Sequence, residues 1–449
     1  MATTGRHLPG RPASGGLAAR GFAVRGFAVR GFAVRGRTVR GFAVMLALGL
    51  LGAVSAGCAA APLAGSGPAA GGPAAPSGGL RAGQPASPVR SAGAPRSAGR
   101  APSGLMGWQR FCAAPPGASL RTALQLPVPA SLGDEVVPLG LSGDGRTAYV
   151  STWTPQFAGV AALSLGTGHL RRIRAFPDPA ADQADGSSGG RWLAWEETHS
   201  LQSLDGFTVY AWDSATGRLR RLGHSLPGPH GAPWPSPWHA PAVSGHYAAW
   251  AQGYGPGGEV EVLLANLATG KVSVVRRGHT QPPFFAGGLL VWPESDQPGA
   301  QTTLHAVSLR TGRPAVLPAA LRAVHGTEFV ATDGTRTAYF NPGLTALYYS
   351  PAQNQPARVV LRLTAGADFA GLSIAPGSLA WTTTKATYLA STRTGEFTQV
   401  TPQYGDATEA GRDLIISDAP GEKAAHPILP MHVIRPASLR WRPCSHRAA

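Results

Sequence analysis

The side chains of this 449-residue chain that could do chemistry gather in a few irregular stretches. Glu196, Glu197, His199 and Asp205 follow one another closely, and Glu294 and Asp296 lie further along. Two carboxyl groups held about 5–10 Å apart would suit glycoside cleavage, one as acid and one as base or nucleophile. His230-Gly-Ala-Pro-Trp-Pro-Ser-Pro-Trp-His239 offers something else. Trp234 and Trp238, with His239 beside them on a proline-stiffened loop, could stack on sugar rings or clamp a Pro-rich peptide. Plainer readings compete, since loop acids are ordinarily solvated and tryptophans ordinarily pack. Asp178, Asp182, Asp185 and Gly186 also cluster, but their spacing does not fit a calcium loop and a solvated acidic loop is expected. There is no His-Glu-x-x-His, no phosphate-cradling loop ahead of a helix and no zinc-spaced cysteine set. No catalytic residue, metal ligand or cofactor is assigned.

What must position these residues is a repeat. A glycine leading into an apolar run recurs at Gly145, Gly190, Gly245, Gly287, Gly334, Gly377 and Gly411, and most runs end in Tyr or Trp. A second mark, Thr-Gly, falls at Gly168, Gly217, Gly270, Gly312 and Gly395. Glycine there suits a tight hairpin needing positive φ. Two independent marks sharing one period predict four-stranded blades. The expected fold is all-β, a seven-bladed β-propeller over 105–449, with six or eight blades left open. Trp195, Trp250, Trp292 and Trp381 are then strand residues of the core.

Leu141-Ser-Gly-Asp-Gly-Arg-Thr-Ala-Tyr-Val-Ser151 and Ala162-Leu-Ser-Leu-Gly-Thr-Gly-His-Leu-Arg-Arg-Ile173 resemble the repeat of WD40-like, TolB-type bacterial propellers. The resemblance implies Asp-Gly at the first hairpin and an apolar-aromatic second strand, and Asp333-Gly334 repeats it. It covers the repeat type over 136–445, not a role. The last unit lacks a strand, which Trp108–Cys112 or Thr122–Leu126 could supply. Cys112 and Cys444, at opposite ends of the array, are expected to form a disulfide; two buried thiols are the alternative. The long stretches 177–189, 196–206, 224–241, 252–258 and 293–301 all connect strand two to three or unit to unit. In a propeller those connections share one face, so the ligand face is expected there.

The N-terminal part carries address rather than fold. Arg-Gly-Phe-Ala-Val repeats precede the apolar run Phe42–Ala56, as in a secretory signal over 1–57. Val54-Ser-Ala-Gly-Cys58 resembles a lipobox with Ser55 in place of the usual branched residue, so Cys58 is the expected lipidation site. Ordinary cleavage nearby or an uncleaved anchor are the alternatives. Residues 58–104, rich in Ala, Gly, Pro and Ser, form an expected disordered tether. The net charge of +16 comes mostly from this part, because residues 105–449 hold 27 basic residues against 23 acids. That near balance argues against nucleic acid. The reading is an extracytoplasmic, lipid-anchored monomer that binds or scaffolds an envelope protein, peptide or glycan. The alternatives are a secreted carbohydrate-active hydrolase or lyase using loop carboxylates, and a purely structural envelope component.

Overall fold

Short apolar runs between glycine turns cannot sustain a helical period, and strands dominate. The computed structural model describes residues 111–124, 136–154, 157–179, 182–199, 206–228, 231–234, 239–255, 258–297, 300–326, 329–362, 369–383, 386–401, 405–418, 431–442 and 444. The signal and tether stretches, Cys58, Asp205 and Trp238 lie outside them. Among the described residues no helix is long and apolar enough to cross a membrane.

After β1 (Cys112–Ala113) and α1 (Ala118–Leu124), the strands form antiparallel units in chain order. Unit one is β2 (Val136–Leu141), β3 (Thr147–Thr154), β4 (Phe157–Ser164) and β5 (Leu170–Ala175). Unit two is β6 (Gln183–Gly189), β7 (Trp192–Thr198), β8 (Phe207–Asp213) and β9 (Arg218–His224). Unit three is β10 (Ala242–Ser244), β11 (Tyr247–Gly253), β12 (Val260–Asn266) and β13 (Lys271–Thr280). Unit four has β14 (Phe284–Ala286), β15 (Leu289–Ser295) and β16 (Thr303–Ser308), with Pro314 bridged to Val307 at the fourth position. Unit five is β17 (Val330–Thr332), β18 (Thr337–Phe340), β19 (Ala346–Ser350) and β20 (Arg358–Arg362). Unit six is β21 (Phe369–Ala375), β22 (Ser378–Thr383), β23 (Thr387–Ser391) and β24 (Glu396–Gln399). Unit seven has β25 (Gly405–Ala410), β26 (Asp413–Asp418) and β27 (Met431–Ile434).

The repeat glycines sit where the backbone needs them. Gly245 opens a two-residue turn at φ 57°, and Gly270 closes the next hairpin at φ 81°. The glycine-led runs are the second strands, and their tryptophans are core: Trp195 is 0% exposed and Trp250 2%. Several aromatics of these strands stack on the residue opposite in strand three, as Trp195 does on Tyr210, Tyr339 on Tyr348 and Trp381 on Tyr388.

Apolar residues gather between units rather than within them. Leu193 and Trp195 pack with unit one, and Trp192 and Ala194, on the alternate face of β7, pack with unit three. Further clusters join units three to four, four to five, five to six and six to seven. The last joins Ile415 and Met431 of unit seven to Val136 and Leu141 of unit one. First strands neighbour one another around the inside, with β2 beside both β6 and β25, so the units close into a ring. Serines stitch this inner ring: Ser188 Oγ donates to the Leu141 carbonyl at 2.7 Å and accepts from its N–H at 2.9 Å. The chain is a β-propeller.

Ring closure departs from the sequence expectation. Among the described residues the N-terminal segment does not complete unit seven. β1 adds instead to the outer edge of unit six, parallel to β24, with Cys112 opposite Glu396. Of Thr122–Leu126, expected as a possible closing strand, the described part Thr122–Leu124 ends α1, whose Leu120 is buried between units six and seven. The C-terminal segment meets the same place: Arg442 N–H donates to Glu396, and Arg440 N–H to Ser119 Oγ at 2.9 Å. Cys112 and Cys444 form a disulfide there, with Cα atoms 6.0 Å apart. The segments at Cys112 and at Arg442–Cys444 thus both fasten to the Thr394–Glu396 turn of unit six. A parallel addition needs only one free strand edge, and β24 offers it.

Candidate functional site

The stretch 196–206 is shorter as a loop than its polarity suggested. β7 runs to Thr198, so Glu196 and Glu197 are strand residues, 2% and 6% exposed, rather than solvated loop acids. Alternation sends them to opposite sides. Glu197 faces unit one, where Arg174 Nε donates to both carboxylate oxygens at 2.7 and 2.9 Å. The Arg174 guanidinium also lies over the Tyr210 ring, 4.1 Å from its centroid. Burial raises the Glu197 carboxyl above its ordinary value, and Arg174 offsets that in part.

Glu196 faces unit three. Its Oε2 is buried with no hydrogen-bond partner, and Asp185 on β6 stands directly opposite it. Burial first and then the Asp185 charge push the Glu196 carboxyl well above the ordinary range. The acids at 178–186 therefore do not form one solvated loop. Asp185 and Gly186 belong to β6, and Asp182 is 2% exposed.

Asp182 has a role that the sequence hid. It accepts from the Asp178 N–H at 2.8 Å and holds His199 Nδ1 with its other oxygen. The His199 side chain is 62% exposed. A fixed carboxylate thus orients an accessible imidazole, an arrangement suited to acid–base chemistry.

Glu294 repeats the Glu197 arrangement two units on. It lies in β15 rather than in a loop and accepts from Arg276 Nε at 2.9 Å and Trp292 Nε1 at 3.0 Å. Burial opposes its charge, but these hydrogen bonds outweigh it and hold the carboxyl below its usual value. Arg174 and Arg276 occupy matching positions, each opposite a valine just before the strand-three bulge. A strand-four arginine clamping the next unit's strand-two glutamate is thus a repeated device.

Trp234 closes a small hairpin. Its N–H donates to Leu226 O at 3.0 Å, Pro227 bridges Pro233, and the indole packs against Gly228, where a Cβ would come within 3.2 Å. The ring is half-buried, and His239 lies at the end of the same connection, also half-buried. Trp238 and Asp205 are outside the described residues. On the opposite, tight-turn face a cleft of about 500 Å³ opens between units one and two. Asp144, Tyr149, Arg171, Arg191, Trp212 and Ser214 line it, the first three from the repeat motifs that pointed to fold rather than to a site.

No protein-family model and no curated protein matches the sequence. Among solved structures, the chain is similar to one from work on two prolyl endopeptidases at 15% identity, over 73% of this chain and 50% of that one, with TM-score 0.47. It is similar to TolB from Acinetobacter baumannii at 12% identity, over 59% of this chain and 63% of that one, with TM-score 0.35. It is also similar to oligogalacturonate lyase from Vibrio parahaemolyticus at 9% identity, over 68% of this chain and 92% of that one, with TM-score 0.44. The chain spans half the length of the endopeptidase and under two thirds of that TolB. None of these likenesses carries a function across.

Proposed function

We propose that this protein is an exported, lipid-anchored binding module of the cell envelope, with its ligand face on the long-loop side around unit two. The observation behind this reading is the 226–234 hairpin, which breaks the repeat and sets a half-buried tryptophan on the loop that enters unit three. Rigid aromatic surface on a stiff loop is a common anchor for sugars and extended peptides. The fate of the carboxylates supports binding over glycoside cleavage, since Glu197 and Glu294 are each committed to an arginine. Export and attachment through Cys58 rest on the leader sequence, and mass spectrometry of the mature N-terminus tests them. A lipid-modified Cys58 is expected; a free Cys58 within an uncleaved chain would overturn that part.

Affinity capture from envelope extract by the full chain tests the face. Trp234→Ala with Trp238→Ala should lose at least tenfold of the captured partner while melting like the parent, and undiminished capture would move the site elsewhere. The Asp182–His199 pair favours one second reading, a hydrolase or lyase in which His199 serves as base. Turnover of a polysaccharide that disappears in His199→Gln would establish it.

A further inference from the structure

The outer rim carries a pattern that the long-loop face does not use. The fourth strands of units one to three, β5, β9 and β13, hold nine Lys and Arg and no Asp or Glu. That is a third of the 27 basic residues of 105–449, and none of its 23 acids. Three are matched from neighbouring strands, Arg174 by Glu197, Arg276 by Glu294 and Arg277 by Glu261. No carboxylate among the described residues pairs with Arg218, Arg221 or Lys271, and all three are exposed.

Exposed apolar side chains fall on the same rim. Among the described residues three large ones stand out, Leu219 at 36%, Val274 at 44% and Val316 at 80%. Leu219 lies in β9 and Val274 in β13. Val316 follows the Pro314 bridge at the fourth position of unit four, three residues after exposed Arg313. Three consecutive units therefore each carry an exposed apolar side chain within three residues of an exposed cation. A soluble polyanion gains nothing from the valines. The interface of an anionic bilayer takes both, cations at the headgroups and apolar side chains at the acyl boundary.

We propose that the rim of units two to four is a docking surface for an anionic lipid bilayer, with the ring standing edge-on to the membrane. The long-loop face then looks along the membrane plane, toward partners anchored in the same leaflet. The inference takes its setting from the envelope reading, but its test does not depend on that reading.

The probe is the full chain with Cys58→Ser and Val274→Cys, the new thiol carrying an environment-sensitive dye. Vesicles of phosphatidylcholine alone are compared with vesicles containing phosphatidylglycerol. The dye should shift to the blue only with the anionic vesicles, and molar salt should reverse the shift by screening. Combining Arg218→Ser, Arg221→Ser and Lys271→Ser should weaken partitioning about fivefold per charge, roughly a hundredfold together, the equivalent of about 1 kcal/mol each. The same dye at Asn354→Cys, an exposed position between β19 and β20, should not shift. No shift at 274, an equal shift with neutral vesicles, or an equal shift at 354 would overturn the proposal. Binding of heparin or a teichoic polyanion without any vesicle response would overturn it in favour of a soluble polyanion. If vesicles bind as expected but the chain stays cytoplasmic in cells, the envelope reading fails while the surface stands.

Discussion

At the scale of residues, Glu196 and Glu197 are neighbours with opposite fates. Glu196 has a folded-state value above the unfolded one, so its cost to folding is absent below the ordinary carboxylate range. The cost grows as pH rises through that range toward the folded value. Glu196→Gln should therefore leave stability near pH 4 unchanged and raise it at pH 8, by about 1–3 kcal/mol for a buried unpartnered group. Denaturant melts at the two pH values check this, and an equal effect at both would contradict it. Arg174→Ala strands the Glu197 carboxylate, which should cost about 2–3 kcal/mol, at the low end for a partly exposed pair. Adding Glu197→Gln should recover most of that loss, as a double-mutant cycle reads directly. None of this was legible in the sequence, where both residues looked like loop acids. The period of two along β7 that separates them is visible only once Trp192–Thr198 is known to be strand.

Elements were legible where glycine marks them. Each glycine-led run became a second strand, because positive φ at the turn is a local demand that composition reveals. The inner strand β6, Gln-Ala-Asp-Gly-Ser-Ser-Gly, was missed because it has no apolar alternation. Serine stitching and proximity to neighbouring first strands hold it, and those are tertiary effects. Gly140 shows how close the approach is, since a Cβ there would lie 2.2 Å from Ser188 Oγ. Gly140→Ala should cost about 2 kcal/mol by overpacking. Gly245→Ala, with open space around it, should cost only the backbone strain of about 1 kcal/mol. Thermal melts that rank the two the other way would contradict this account of the inner ring.

For the whole molecule, the segments flanking the repeat array are joined at unit six, where Cys112 and Cys444 meet. The disulfide spans 332 residues, and replacing Cys112 and Cys444 with serine should cost about 2–5 kcal/mol and loosen β1 first. Hydrogen exchange should find Cys112–Ala113 deprotected before β24; simultaneous loss would contradict the latch. The sequence marked the two cysteines as a pair but not their anchorage, because a parallel strand leaves no turn signal. Its bet on the long-loop face is the central functional claim. Site-specific photocrosslinking in intact cells tests it most directly, comparing Ala232, exposed on the Trp234 hairpin, with Ala215, exposed on the tight-turn face. A crosslinker at 232 should capture a discrete envelope partner or glycan while one at 215 captures none. Crosslinks from 215 alone would contradict the claim and move the site to the cleft between units one and two.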